Sequence, residues 1–195
     1  YVIVCPVAAY YREGAKPTRI AVAESGVRAA PGGAGEAKTS GNYAPTLLAT
    51  QQASEGGFSQ VLWLDAKEHK FVEEVGTSNI FFRFGDDLVT PPLGGTILPG
   101  VIRDSVLRLA EAWGIRTIER RVSINEVVDG CQSGLLKEVF ATGTAAVISP
   151  IGELSYKSDL VQVADATAGD LSKRLFEEIT AVQYGQKEDD LNWMM

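Results

Sequence analysis

The sequence is poor in metal-binding and redox side chains: it has two cysteines, two methionines and one histidine. Cys5 and Cys131 make no disulfide framework, so a reducing compartment is the default. His69, in Lys67-Glu68-His69-Lys70, has no metal partner at ligand spacing and reads as a solvated turn residue. No metal site is expected. Positive charge is also scarce. A formal net charge of −7 argues against a nucleic-acid surface. No apolar run approaches the roughly eighteen residues that span a bilayer. The start of the chain lacks a basic segment and a small-residue cleavage site, so no signal peptide is read there.

What is present is the composition of an ordinary globular protein, 45% hydrophobic and 22% charged, in one large or two small domains. Tyr1–Pro6 and Thr18–Ala23 read as strands around a polar turn at Glu13-Gly14. Pro31–Gly41 is a glycine-rich loop. Asn42 is placed to cap a helix over Tyr43–Glu55 that stops at Gly56-Gly57. Gln60–Leu64, Phe71–Val75, Asn79–Phe84 and Leu88–Thr90 read as strands. Pro99-Gly100 opens a helix with Ile102, Val106, Leu109, Ala110 and Trp113 on one face, ended by Gly114. Ser123–Glu126 is a capping box for a short helix ending at Gly130. Val139–Thr142 and Ala146–Ile151 read as strands, Asp170–Tyr184 as a last helix, and Lys187–Asp190 as a solvated tail. Strands and helices without strict alternation predict an α+β fold.

The chemistry-bearing positions begin at Lys38, between Gly32-Gly33-Ala34-Gly35 and Gly41-Asn42-Tyr43. An acidic segment, Glu73–Asn79, and a turn, Gly143-Thr144-Ala145-Ala146, follow. An amine, a buried carboxylate and two anion-cradling turns are the parts needed to hold pyridoxal phosphate: lysine for a Schiff base, the acid for the pyridine nitrogen, backbone N–H groups for the phosphate. Such a lysine must be neutral to react, which burial and nearby positive charge favour. The opening at Gly100-Val101-Ile102 supplies amides and a positive helix dipole. Alone, each of these has a plainer reading: a solvated loop lysine, a core tyrosine, a strand connection. Gly33–Thr39 also resembles a P-loop, but Ala37 stands where that motif has glycine.

Together the segments Val4–Val7, Lys38–Tyr43, Gln60–Asp65, Glu74–Phe81, Thr90–Leu93, Ile97–Arg103 and Gly143–Ala145 resemble, in order, the branched-chain aminotransferases of the fold-type IV pyridoxal phosphate enzymes. The resemblance implies the large, C-terminal domain of the D-amino acid aminotransferase-like fold, a mixed sheet or pseudo-barrel with flanking helices. It implies residues 1–185 as the cofactor domain, 1–15 as an interdomain connection and 186–195 as a tail. It implies Lys38 as the catalytic Schiff-base lysine, Tyr43 on the cofactor's 3-oxygen and Glu74 at the ring nitrogen. Thr77 falls near the lysine or phenolic oxygen, and Arg28 near the cofactor. Val101, Ile102 and Thr144 fall to the phosphate, and Thr144 and Ala145 to the substrate carboxylate. Many members have threonine at the place of Ile102, so only its backbone is carried over. Glu73, adjacent to Glu74 in a strand, is expected on the opposite, solvated face.

The resemblance further implies transamination of branched-chain L-amino acids with 2-oxoglutarate by a cytoplasmic homodimer, with no membrane partner. Members carry a domain ahead of this point, and Gln183-Tyr184-Gly185 with Trp193-Met194 resembles their closing segment. Residues 1–195 alone are therefore expected to transaminate poorly. Two other readings stand beside this one: a cofactor-binding domain that does not catalyse, and another fold-type IV enzyme, a D-amino acid aminotransferase or aminodeoxychorismate lyase.

Overall fold

The computed structural model describes residues 2–4, 16–191 and 193. The strand expected over Tyr1–Pro6 and the turn at Glu13-Gly14 lie largely outside these residues, and residues 2–4 are not in a strand. Among the described residues nine strands form one mixed sheet: β1 Thr18–Val22, β2 Gln60–Leu64, β3 Val72–Val75, β4 Asn79–Phe84, β5 Asp87–Thr90, β6 Thr117–Glu119, β7 Leu136–Gly143, β8 Val147–Tyr156 and β9 Asp159–Gln162. Four helices flank it: α1 Leu47–Glu55, α2 Val101–Ala112, α3 Ile124–Ser133 and α4 Asp170–Gln183. The order is β3-β2-β1-β8-β7-β4-β5-β6, with β9 on β8.

The sheet curls on itself. β3 at one end and β4 in the interior are joined by the tight turn Val75–Ser78, whose ends exchange N–H···O bonds of 3.0 and 2.9 Å. Gly76, at φ +56°, supplies the left-handed first position that a two-residue hairpin of this kind requires. Ile20, Leu62, Val72, Ile80, Phe82, Val139 and Leu154, from six different strands, fill the inside of the curl. A second core, Phe81, Phe140 and Ile148 with Val106, Leu109, Leu171 and Leu175, lies between the sheet and α2 and α4. A third and smaller one joins α1 to Val61 and Trp63.

Among the described residues three strand pairs are parallel, β1 with β2, β5 with β6 and β1 with β8. Parallel neighbours need a long connection. The first crossover carries Lys38 and α1, and the second carries the N-terminus of α2.

Several sequence expectations need correction. Asn42 does not cap a helix: its side chain donates to Ala34 O (2.6 Å) and Ala37 O (2.7 Å), tying the loop together. Two 3-10 turns, Ser40–Asn42 and Ala44–Thr46, precede α1, and Pro45 lies in the second of them. Ser123 does cap α3, accepting from the Glu126 amide, but the helix passes Gly130 and ends at Gly134 in the left-handed conformation. Gly130 is retained inside the helix because Phe84 and Leu136 press on it. β6 and β9 are short edge strands with no apolar alternation to announce them. The 187–190 segment is largely solvent-exposed, as expected, but it is also anchored: Lys187 pairs with Glu178 at 2.6 Å, and Leu191 and Trp193 pack on the second core.

Candidate functional site

Glu74 anchors the site. It is 2% exposed, on β3 opposite Trp63 of β2. Its Oε1 accepts the Leu98 N–H at 2.7 Å and lies 3.4 Å from Asn79 Nδ2. Its Oε2 lies 3.1 Å from Arg28 Nε, an ion pair in contact but not aligned as a hydrogen bond. Burial pushes the Glu74 carboxyl up to about 7, against the pull of Arg28, the Leu98 amide and the Lys38 ammonium. Lys38 is therefore within electrostatic reach of this carboxylate.

Arg28 is buried, not a surface arginine. Besides Glu74, its guanidinium donates through Nη2 to Gly35 O at 3.0 Å and, closely, to Thr96 O. It thus ties the Lys38 loop to the 91–100 segment. That contact needs Gly35: a Cβ there would lie 2.6 Å from Thr96 Cα. The sequence pattern of glycines before the lysine has its physical reason at this close approach.

Asn79 continues the network toward α2. Its Nδ2 donates to Leu98 O at 2.8 Å, and its Oδ1 sits where any side chain at Gly100 would collide. Gly100 is the N-cap residue of α2 in extended conformation, and no side chain caps the helix. The first amides of α2, at Val101 and Ile102, are thereby left as donors at the positive end of the dipole. The Ile102 side chain is buried in the second core, so its contribution is backbone only. Val101 is exposed.

The third part is the β7–β8 turn. Gly143 pairs with Val147, leaving Thr144, Ala145 and Ala146 as its tip, with Thr144 and Ala145 exposed. Val147 holds φ +56°, which a β-branched residue adopts at a cost of roughly 1–3 kcal/mol, and such strain is concentrated at functional sites. Thr142, opposite Asn79 in the register, carries a buried hydroxyl with no partner among the described residues. Tyr43 is half-buried and Thr77 is exposed at the β3–β4 turn.

The structure therefore brings Arg28, Glu74, the Lys38 loop and the start of α2 into one hydrogen-bonded assembly. Lys38 itself is solvent-facing, so the burial expected of a reactive lysine is not supplied by the described residues. Glu73 is the clear correction. It is 8% exposed, and its Oε1 accepts from Thr96 Oγ1 at 2.5 Å. The β2–β3 register runs Leu62–Val75, Trp63–Glu74, then Leu64–Val72, skipping Glu73. This β-bulge breaks the alternation, so Val72 and Val75 both face the inner core while Glu73 joins Glu74 against the 96–98 segment. Asn79, Thr96 and Leu98 are site residues that sequence reasoning misses. Asn79 has a signal, lying at the end of the acidic segment, whereas Thr96 has none. Cys131 is half-buried with its thiol pushed up to about 11 by burial, and takes no part in the site. Among the described residues no cluster of three or more metal-ligating side chains occurs, and no helix is long and apolar enough to cross a membrane.

Residues 2–154 match the model of the amino-transferase class IV family. The chain belongs to this family. It is 50% identical over 193 residues to branched-chain-amino-acid transaminase 1 of Bacillus subtilis, covering 98% of this chain and 54% of that protein. Branched-chain-amino-acid aminotransferase 2 of the same organism is 48% identical over 192 residues, with 98% and 53% covered. The fold superposes on the Escherichia coli branched-chain amino acid aminotransferase with a TM-score of 0.82 at 30% identity, covering 97% of this chain and 59% of that one. It superposes on the branched-chain aminotransferase of Thermoproteus uzoniensis with norvaline at a TM-score of 0.79 and 26% identity, covering 98% and 59%. The chain spans about half the length of the curated relatives it matches. The mixed curled sheet with flanking helices is thus that of the fold-type IV aminotransferase domain.

Proposed function

We propose that this chain is the pyridoxal phosphate-binding large domain of a branched-chain-amino-acid transaminase, moving an amino group between leucine, isoleucine or valine and 2-oxoglutarate. The observation that carries the proposal is the buried Glu74 carboxylate, held by Arg28 and Leu98 between the Lys38 loop and the uncapped start of α2. Relatives of 48% and 50% identity bearing the branched-chain transaminase name support the substrate class. Solved neighbours with pyridoxamine 5'-phosphate and with N-(5'-phosphopyridoxyl)-L-glutamate support the cofactor.

The residues present fit such a group. An acid near neutrality suits a ring nitrogen, open helix amides suit a phosphate, and the unpartnered Thr142 hydroxyl lies on the sheet face that carries Asn79. When bound, pyridoxal phosphate supplies an electron sink for the bond broken at the substrate α-carbon. Lys38 Nζ would hold the cofactor and, once freed by the substrate amine, would take the proton from the substrate α-carbon and deliver it to the cofactor carbon that carries the transferred nitrogen. Glu74 holds a proton at the ring nitrogen. Tyr43 would donate to the 3-oxygen, and Thr77 would bond near the lysine or that oxygen. The Val101 and Ile102 amides and Thr144 hold the phosphate, while the Thr144 and Ala145 amides hold the substrate carboxylate. Arg28 keeps the carboxylate and the lysine loop in register. The same reading carries residues 1–185 as the cofactor domain, with 1–15 as connection and 186–195 as tail, in a cytoplasmic homodimer.

The test is an assay of the gene's complete product with L-leucine and 2-oxoglutarate, beside Lys38→Ala. Activity abolished by the substitution is expected. Activity on D-leucine alone, or none with any branched-chain amino acid, would overturn the reading.

A further inference from the structure

Glu73 has no part in the roles above, yet the bulge in β3 brings it into the heart of the network. Its Oε1 accepts the Thr96 hydroxyl at 2.5 Å, and its Oε2 has no hydrogen-bond partner among the described residues. Desolvation raises its carboxyl above the ordinary range, opposed by the Thr96 hydrogen bond and by Arg28. A buried carboxylate is costly to keep unless its interaction fixes something.

What it fixes is the segment Thr96–Leu98. The Thr96 carbonyl accepts from Arg28, whose Nε faces Glu74. Two residues on, the Leu98 amide donates to Glu74 and its carbonyl accepts from Asn79. Gly35 of the lysine loop packs directly on Thr96 Cα. Of the three side chains in this segment only Thr96 can donate a hydrogen bond, and its acceptor is Glu73.

We propose that Glu73 is a positioning residue that, through Thr96, sets the place of Arg28, Glu74 and the start of α2 toward the cofactor. The inference rests on the pyridoxal phosphate reading. A displaced Thr96 carries its carbonyl with it, so Arg28 follows. Leu98 then presents its amide to Glu74 at a different angle. Both the ring end and the phosphate end of the site are affected by one hydrogen bond that touches neither.

The experiment uses the gene's complete product, stripped of cofactor and titrated with pyridoxal phosphate. It compares Glu73→Leu, Glu73→Gln, Thr96→Val, Thr96→Ser and the double variant Glu73→Leu/Thr96→Val. Glu73→Leu and Thr96→Val should each raise the cofactor Kd about tenfold, the scale of one hydrogen bond to a charged group. Each should also move the pH midpoint of the bound-cofactor absorbance. The double variant should bind no more weakly than the weaker single one, because both changes remove the same bond. Glu73→Gln keeps an acceptor and Thr96→Ser keeps a donor, so both should stay within about twofold of the unaltered protein, well under the 1.4 kcal/mol of a tenfold change. Unchanged Kd and midpoint with only a lowered melting temperature would reduce the pair to a structural contact and overturn the inference. If Glu73→Leu fails to fold, the near-isosteric Thr96→Val decides. Failure of the unaltered protein to bind pyridoxal phosphate would instead overturn the proposed function, and this inference with it.

Discussion

Replacing Glu74 by glutamine should change how stability depends on pH in a way the structure dictates. The carboxyl is raised from its ordinary 4.5 to about 7, first by burial, with Glu73 adding to the rise and Arg28, the Leu98 amide and Lys38 opposing it. The native state therefore keeps this proton to near pH 7, while the unfolded chain releases it near pH 4.5. Between those values the unfolded state binds fewer protons, so stability falls as pH rises. Stability is full below pH 4.5, and the loss is complete about one unit above 7. A shift of this size is worth about 3 kcal/mol at 1.36 kcal/mol per unit. Glutamine does not titrate and removes the fall. Below pH 7 it replaces an acid that is already neutral, so it leaves Arg28 no worse partnered there than in the unaltered protein.

Urea unfolding of the cofactor-free chain at pH 5 and pH 8 measures this fall. At pH 5 the two proteins should be close in stability. By pH 8 the unaltered protein should have lost about 2.5 kcal/mol relative to the variant. Glu73 titrates in both proteins and largely cancels from the comparison. A difference that stays constant across this range, or that moves in favour of the unaltered protein with rising pH, would refute the argument that desolvation governs Glu74.

Much of this site was legible in the sequence, and the part that was not has a single physical origin. Lys38, Tyr43, Glu74 and the Gly143–Ala145 turn are singled out by the resemblance of their segments to a family pattern and Gly100 as the opening of a helix, and the structure joins Glu74, the Lys38 loop and the start of α2 in one network. Glu73 and Thr96 could not be found in this way. A strand's period of two puts neighbouring side chains on opposite faces, and only the register against β2 reveals that the period is broken at Glu73. A bulge of this kind is a property of two strands at once. Thr96 likewise looks like an ordinary loop threonine until Gly35, far along the chain, is seen against it. The misread end of α3 follows the same rule. Gly130 breaks helices in sequence, but Phe84 and Leu136 need that space, and the left-handed stop falls at Gly134.

Other outcomes follow from the same geometry. Borohydride reduction of the loaded protein, followed by peptide mapping, should place the pyridoxyl group on Lys38; an adduct on Lys16 or Lys67 would sink that assignment. In the complete enzyme Glu74→Gln should lower kcat about a hundredfold, as for loss of one transition-state contact, while Glu73→Gln should cost far less; equal small losses would count against Glu74 at the ring. Gly100→Ala should weaken cofactor binding, because the new methyl collides with Asn79 Oδ1 and must displace the start of α2; unchanged cofactor Kd would show that this amide end is not used. The last outcome concerns stability alone. Glu138, 6% exposed on β7, accepts from Arg83 at 2.7 Å and from the Leu171 and Ser172 amides at 3.1 and 2.9 Å, so one buried carboxylate caps α4 and neutralises an arginine. Gly169 is the N-cap residue and has no side chain to do this; any Cβ there would strike Glu138. Glu138→Ala should therefore cost about 2–3 kcal/mol, the loss of a helix cap together with an ion pair to the partly exposed Arg83. Glu138→Gln, which keeps the acceptor for the amides, should cost less. Chemical denaturation at pH 7 measures both, and a cost under about 1 kcal/mol for the alanine variant would mean that α4 is held by its apolar face and not by its capped end.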